Sequence, residues 1–169
     1  MSDLSFWLDS YNDIYSDFDS NHYMKRRISE DFLFELRTEM KYRREYPVNM
    51  ILLLPQQLRD ESAEKIIAAS LIDFFIRQFG FYYHSCHKKR NTGVFMLVAG
   101  IVIMLLDSWM VYNFEKSFLI VGLKVLLEPA GWFLVWTALD FLFYDFAMLK
   151  KEKTFFKELS EIHIYFKSA

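Results

Sequence analysis

The sequence predicts a membrane protein, mainly α-helical: a transmembrane helical hairpin with a small cytoplasmic α+β domain formed from the N-terminal half and the C-terminal strand. Three observations predict it. Thr92–Tyr112 and Phe118–Phe143 are almost wholly apolar and are separated only by the polar link Asn113–Ser117. Basic residues cluster outside both runs, at His87-Lys88-Lys89-Arg90 and at Lys150-Lys151-Glu152-Lys153. Two short strand-like runs, Val48–Leu54 and Ile162–Phe166, lie on either side of the apolar pair in sequence.

A helix rises about 1.5 Å per residue, so about 20 apolar residues cross the hydrocarbon layer. Both apolar runs reach that length. Within lipid an isolated segment satisfies its backbone N–H and C=O groups only as a helix. The short link then returns the second helix antiparallel to the first. Lys and Arg concentrate on the cytoplasmic side of a membrane. The link carries only Glu115 and Lys116, so both termini are expected in the cytoplasm and the link outside.

The hydrophobic content of 53% and aromatic content of 19% owe much of their excess to these runs. A net charge of −2 gives no global field that would attract nucleic acid. The single cysteine, Cys86, excludes an internal disulfide. The start MSDLSFWLDSY lacks the basic and apolar regions of a signal peptide, so insertion is expected to use the internal spans. Four regions are expected: an acidic and aromatic arm, 1–27; an α+β domain whose last helix leads into the membrane, 28–90; the hairpin, 91–145, with spans at about 92–112 and 118–143; and a returning helix and strand, 146–169.

In the arm, Asp3, Asp9, Asp13, Asp17 and Asp19 alternate with aromatic residues. Trp7, Tyr11, Tyr15 and Phe18 follow helical spacing, which suits a segment that docks on a partner or a sister subunit. An arm folded onto its own domain is the alternative. Lys25, Arg26 and Arg27 form a basic joint, either a solvated turn or a contact for anionic headgroups. Ser29 has the character of a helix N-cap, with Glu30 and Asp31 in the favourable first turn. Phe32, Leu33, Leu36 and Met40 give that helix an apolar stripe, and Pro47 ends it.

Val48–Leu54, closed by Pro55, reads as a buried strand. Asp60 or Ser62 caps the next helix, whose buried face runs through Ile66, Ile67, Ser70, Leu71, Phe74, Phe75 and Gln78. Asp73 and Arg77 pair at i, i+4 on its solvent side. The helix continues past Gly80, a point where it could kink, through the interfacial aromatics Phe81, Tyr82 and Tyr83. Lys150–Ser160 is a charged amphipathic continuation of the second span. Ile162–Phe166 alternates as a strand and pairs with Val48–Leu54; a two-stranded ladder is marginal in water, so helices or another subunit must cover it.

Four ionisable residues lie in or near the spans: Asp107, Lys124, Glu128 and Asp140. Each costs about 2.5–3.5 kcal/mol at a helix centre and so demands a partner or water. They suit either a structural charge cluster that fixes register or an ion path, which two spans form only in an oligomer. Pro129 frees a carbonyl one turn earlier. Gly131 permits close approach of a helix, and Gly100 lies at about the matching depth. His84, Cys86 and His87 are weak metal-ligand candidates without a second cluster to close the shell; no cofactor is expected. Asp145, beside Tyr144, is placed to pair with Lys88, Lys89 or Arg90 and so clamp the base of the hairpin. No dinucleotide, P-loop, serine-hydrolase or zinc-protease motif occurs.

Gly131-Trp132, Trp136, Asp140, Tyr144-Asp145 and the basic run Lys150-Lys151-Glu152-Lys153 resemble an uncharacterised bacterial two-span inner-membrane family of unknown function. Members similar to this chain often carry Arg-Pro after the second tryptophan, where Thr137-Ala138 stand here. The resemblance implies a bacterial inner-membrane location and no established activity. The expected role is a non-enzymatic anchor, scaffold or accessory subunit. Its expected partners are membrane lipid and either further copies of itself or other membrane proteins. The alternatives are an oligomeric channel or transporter using Asp107, Lys124 and Glu128, and a metal-binding protein using His84, Cys86 and His87.

Overall fold

The chain is described by a computed structural model, which covers residues 3–19, 22–23, 26–42, 49–114 and 118–168. Pro47, Val48, Lys25 and the link residues Glu115, Lys116 and Ser117 lie outside the described residues. The elements in order are β1 (Leu4–Trp7), α1 (Glu30–Tyr42), β2 (Asn49–Leu54), α2 (Glu61–Phe114), α3 (Phe118–Asp140), α4 (Phe146–Ser160) and β3 (His163–Ser168). A π-helical turn, Phe141–Asp145, joins α3 to α4. The chain divides into two compact units, one of Met1–Gly80 with Thr154–Ala169 and the other of Phe81–Lys153.

The first unit is built on a three-stranded sheet of order β1-β2-β3. Both pairings are parallel, with Leu4 opposite Met50 and Met50 opposite Ile164. The expected partnership of the two strand-like runs is present, and a third strand joins it. That strand comes from the arm, where helical spacing suggested a helix instead. Leu4, Phe6 and Leu8 alternate with Ser5 and Trp7, a period of two that suits a strand. Leu8 extends the pairing, donating its N–H to the Leu53 carbonyl at 2.9 Å.

After β1 the chain turns through a short 3-10 helix, Tyr11–Ile14. Ser10 caps it by accepting from the Asn12 N–H at 3.0 Å, and Asp13 accepts from the Ser10 N–H at 2.9 Å. The arm is then tied to the chain ahead of α1. Tyr15 bridges Ile28, the Ser16 N–H donates to the Arg27 carbonyl, and the Ser29 N–H donates to the Ile14 carbonyl. Arg26 donates to the Asn12 side chain at 2.6 Å and lies over the Tyr15 ring.

Alternation along β2 buries Met50, Leu52 and Leu54 completely. From α1 come Phe32 and Leu36, and from α2 Ile67, Leu71 and Phe75, one face of a helix. Phe156 and Leu159 of α4 and Ile162 complete this core. Each such side chain contributes about 1.5–3 kcal/mol by leaving water. Asp60 is the cap of α2, accepting from the Ser62 and Ala63 N–H groups at 2.8 and 3.3 Å. Asp73 and Arg77 form the i, i+4 ion pair.

The sheet's other face presents Trp7 from β1, Ile51 and Leu53 from β2, and Tyr165 from β3. Trp7 and Tyr165 are exposed and the β2 pair is half-buried. Parallel sheets ordinarily have both faces covered, so this open face is unusual.

The second unit is a helical hairpin. Gly100 and Gly131 lie at its crossing: a Cβ on Gly100 would stand 3.0 Å from the Gly131 carbonyl oxygen and 2.9 Å from Val135 Cγ2. A Cβ on Gly131 would meet Met104 Cγ at 2.6 Å. Nearer the base, a Cβ on Gly93 would be 3.0 Å from Leu142 Cγ. The three small residues let the backbones approach along one seam. Pro129 lies inside α3 without ending it. Gly80 does not interrupt α2, which is helical from Glu61 to Phe114.

Candidate functional site

The base of the hairpin gathers more chemistry than any other part of the second unit. Lys89 of α2 donates to Asp145 Oδ2 at 2.6 Å. The same ammonium stands 4.1 Å from the centroid of the Phe141 ring, a cation–π distance. Asp145 and Phe141 are the two ends of the π-helical turn, a feature that frequently marks functional positions. Both ion-pair side chains are about two-fifths exposed, so the pair itself is worth only about 0.2–1 kcal/mol in water. Its structural value is that it fixes which levels of the two helices meet.

One and a half turns towards the N-terminus of α2, Tyr83 packs edge-on against His87, with ring centroids 4.7 Å apart. Lys153 of α4 lies over the Tyr83 ring at 5.9 Å. Arg90 reaches His87 Nδ1 at 3.4 Å. Of the expected clamp, Lys89 and Asp145 are in contact, while Lys88, Arg90 and Tyr144 are exposed.

The other site residues are distributed as follows. Asp107 is buried, Lys124 is half-buried, and Glu128 and Asp140 are exposed. Among the described residues no ion pair joins these four to each other. Cys86 is buried, whereas His84 and His87 are exposed. Among the described residues no three His, Cys, Asp or Glu side chains converge as a metal site would require. Of the four arm aromatics, Tyr11 and Tyr15 are buried, and Trp7 and Phe18 are exposed.

A polar cluster in the first unit was missed from sequence. Arg59 grips Glu64 with two hydrogen bonds of 2.9 Å. The Tyr11 hydroxyl donates to Glu64 Oε1 at 3.1 Å and accepts from the Asp60 N–H at 2.9 Å. The signal was present: Glu64 falls three, seven and eleven residues before Ile67, Leu71 and Phe75, on the same buried face. A carboxylate there needs a charged partner. Hydrogen bonding from Arg59 holds the Glu64 carboxyl below its ordinary 4.5, against the opposing effect of burial. Burial pushes the Tyr11 phenol up, and it raises Tyr15 to about 12.

A lowered carboxyl pKa stabilises the fold above the unfolded value near 4.5, and that stability is lost as pH falls through the folded value. Glu64→Gln is therefore expected to cost about 1–3 kcal/mol at neutral pH. It should also flatten the loss of stability as pH falls below about 4.5. Chemical denaturation across that range checks both; an acid profile as steep as the parent's would remove Glu64 from the account.

Compared with protein-family models, curated proteins and solved structures, the chain matches none.

Proposed function

We propose that the chain is a non-enzymatic integral membrane protein whose hairpin spans a bacterial inner membrane. Both termini lie in the cytoplasm, and the α+β unit is a docking module for a membrane complex or for further copies of itself. One observation carries the membrane assignment. Two helices are long and apolar enough to cross a membrane, and in the most apolar window of each only 11% and 6% is buried. The buried core helix of a soluble protein would show the reverse. Phe95, Leu105, Leu126 and Phe133 are all exposed. In water such a surface would far exceed the apolar patches that monomers tolerate; in hydrocarbon it is at no disadvantage. The docking role draws support from the open face of the parallel sheet, where Trp7 and Tyr165 remain exposed.

The test uses Cys86→Ala, which removes the only thiol, with Asn113→Cys added. A membrane-impermeant maleimide applied to intact cells should label it, and Ser168→Cys should react only after lysis. The chain should stay in the pellet at alkaline carbonate. Labelling in the opposite sense overturns the orientation, and release by carbonate overturns the span. A purified monomer that co-purifies with no other chain removes the docking role. A second reading, an oligomeric ion path, draws on Asp107, a carboxylate buried in an apolar helix. It requires ion flux in liposomes that Asp107→Asn abolishes.

A further inference from the structure

We infer that the base of the hairpin binds anionic phospholipid headgroups, with Lys88, Arg90 and Lys151 as the phosphate-facing cations. The inference rests on the bilayer-spanning reading above. Two contacts bracket the level concerned. Lys89 meets Asp145 at 2.6 Å at its upper edge, and Tyr83 meets Lys153 at 5.9 Å at its lower edge. On α2 these are six residues apart, a rise of about 9 Å. That is the thickness of a headgroup layer rather than of hydrocarbon.

In this band and one residue above it α2 contributes Lys88, Lys89 and Arg90, and α4 contributes Lys150, Lys151 and Lys153; the acids opposing them are Asp145 and Glu152. Asp145 is committed to Lys89. Lys88, Arg90 and Lys151 are exposed, and among the described residues none is paired with a carboxylate. Arg90 has only a histidine nitrogen, 3.4 Å away. A positive band of this kind attracts a lipid phosphate with about 1 kcal/mol per Lys or Arg near the surface.

Directly above it the flanks turn apolar: Val94 and Phe95 on α2 and Phe143 and Tyr144 on the turn are all exposed. A diacyl lipid is amphipathic in the same order, phosphate beside the cations and chains against the aromatics. Soluble phosphate would use only half of this surface.

Native mass spectrometry of the full chain in a neutral detergent tests the inference. Phosphatidylglycerol and phosphatidylcholine of the same acyl chains compete at equal concentration. The parent should retain the anionic lipid more than about tenfold better. The variant Lys88→Gln/Arg90→Gln/Lys151→Gln should bring the ratio close to one. A control of equal charge loss in the other unit, Lys41→Gln/Lys65→Gln/Lys157→Gln, should leave it unchanged. Equal retention of the two lipids by the parent, or an undiminished preference in the first variant, overturns the inference. So does full competition by inorganic phosphate at the lipid's concentration, which would make a soluble anion the ligand. Failure here with carbonate resistance intact removes only the lipid site. Release by carbonate removes the reading beneath it.

Discussion

Gly100→Val is expected to break the hairpin's seam. A single Cβ at this position already meets the Gly131 carbonyl oxygen at 3.0 Å, Val135 Cγ2 at 2.9 Å and Leu134 Cβ at 3.1 Å. One of the three is backbone, which cannot rotate away, so the helices themselves must separate. Overpacking of this kind costs about 1–3 kcal/mol, and occasionally more. The loss is larger in consequence than in amount. On the membrane reading proposed above, no hydrophobic force would press the helices together in lipid, and close packing across small residues would have to do so.

Gly122 supplies the control, because a Cβ there has nothing within 4 Å. Gly122→Val should be close to neutral, since valine's helix propensity is no worse than glycine's, and Gly122→Ala should be neutral to stabilising by about 0.5–1 kcal/mol. Unfolding in mixed micelles by a denaturing detergent measures all three. If Gly100→Val and Gly122→Val unfold together, the seam is not where the glycines place it.

Phe75→Ala is expected to be the most damaging truncation in the sheet-bearing unit, at about 3–5 kcal/mol. Phe75 is wholly buried. Its ring lies 5.8 Å from that of Phe74 and 6.5 Å from that of Phe156. Phe156 packs edge-on against Phe155, and the Arg37 guanidinium lies over both rings. Removing Phe75 therefore leaves a hole beneath a cluster that joins α1, α2 and α4. A unit of this size has about 5–15 kcal/mol in hand, so the variant should show cleavage by trypsin at sites the parent protects. Phe34, exposed on α1, is the comparison: Phe34→Ala should stay within about 0.5 kcal/mol. Equal sensitivity of the two variants would mean that Phe75 does not hold this core.

Much of this arrangement was readable because it follows local rules. The two apolar runs set their helices by length alone. Asp60 precedes α2 as its cap, and the buried face predicted from Ile66 to Gln78 is the one that packs. Asp145 was matched to the Lys88–Arg90 cluster by charge, and Lys89 is the member it meets. What escaped depends on distant partners. Aromatic residues from Trp7 to Phe18 satisfy a helical period, yet Leu4–Trp7 is a strand because β2 offers it an edge. Burial of Tyr11 and Tyr15 follows from that pairing, and so does the Tyr11 contact with Glu64. The π-helical turn has no sequence signature: Phe141–Asp145 carries neither proline nor glycine.

The parallel pairing of β2 with β3 places Asn49 opposite His163, with both apolar helices between them in the chain. A ribosome must therefore deliver the whole hairpin before the sheet's last edge exists. Until then β2 has only β1 as a strand neighbour, and the sheet waits half-formed. Closing so long a loop is slow in free solution. The order of synthesis therefore makes β3 the last strand to join the sheet.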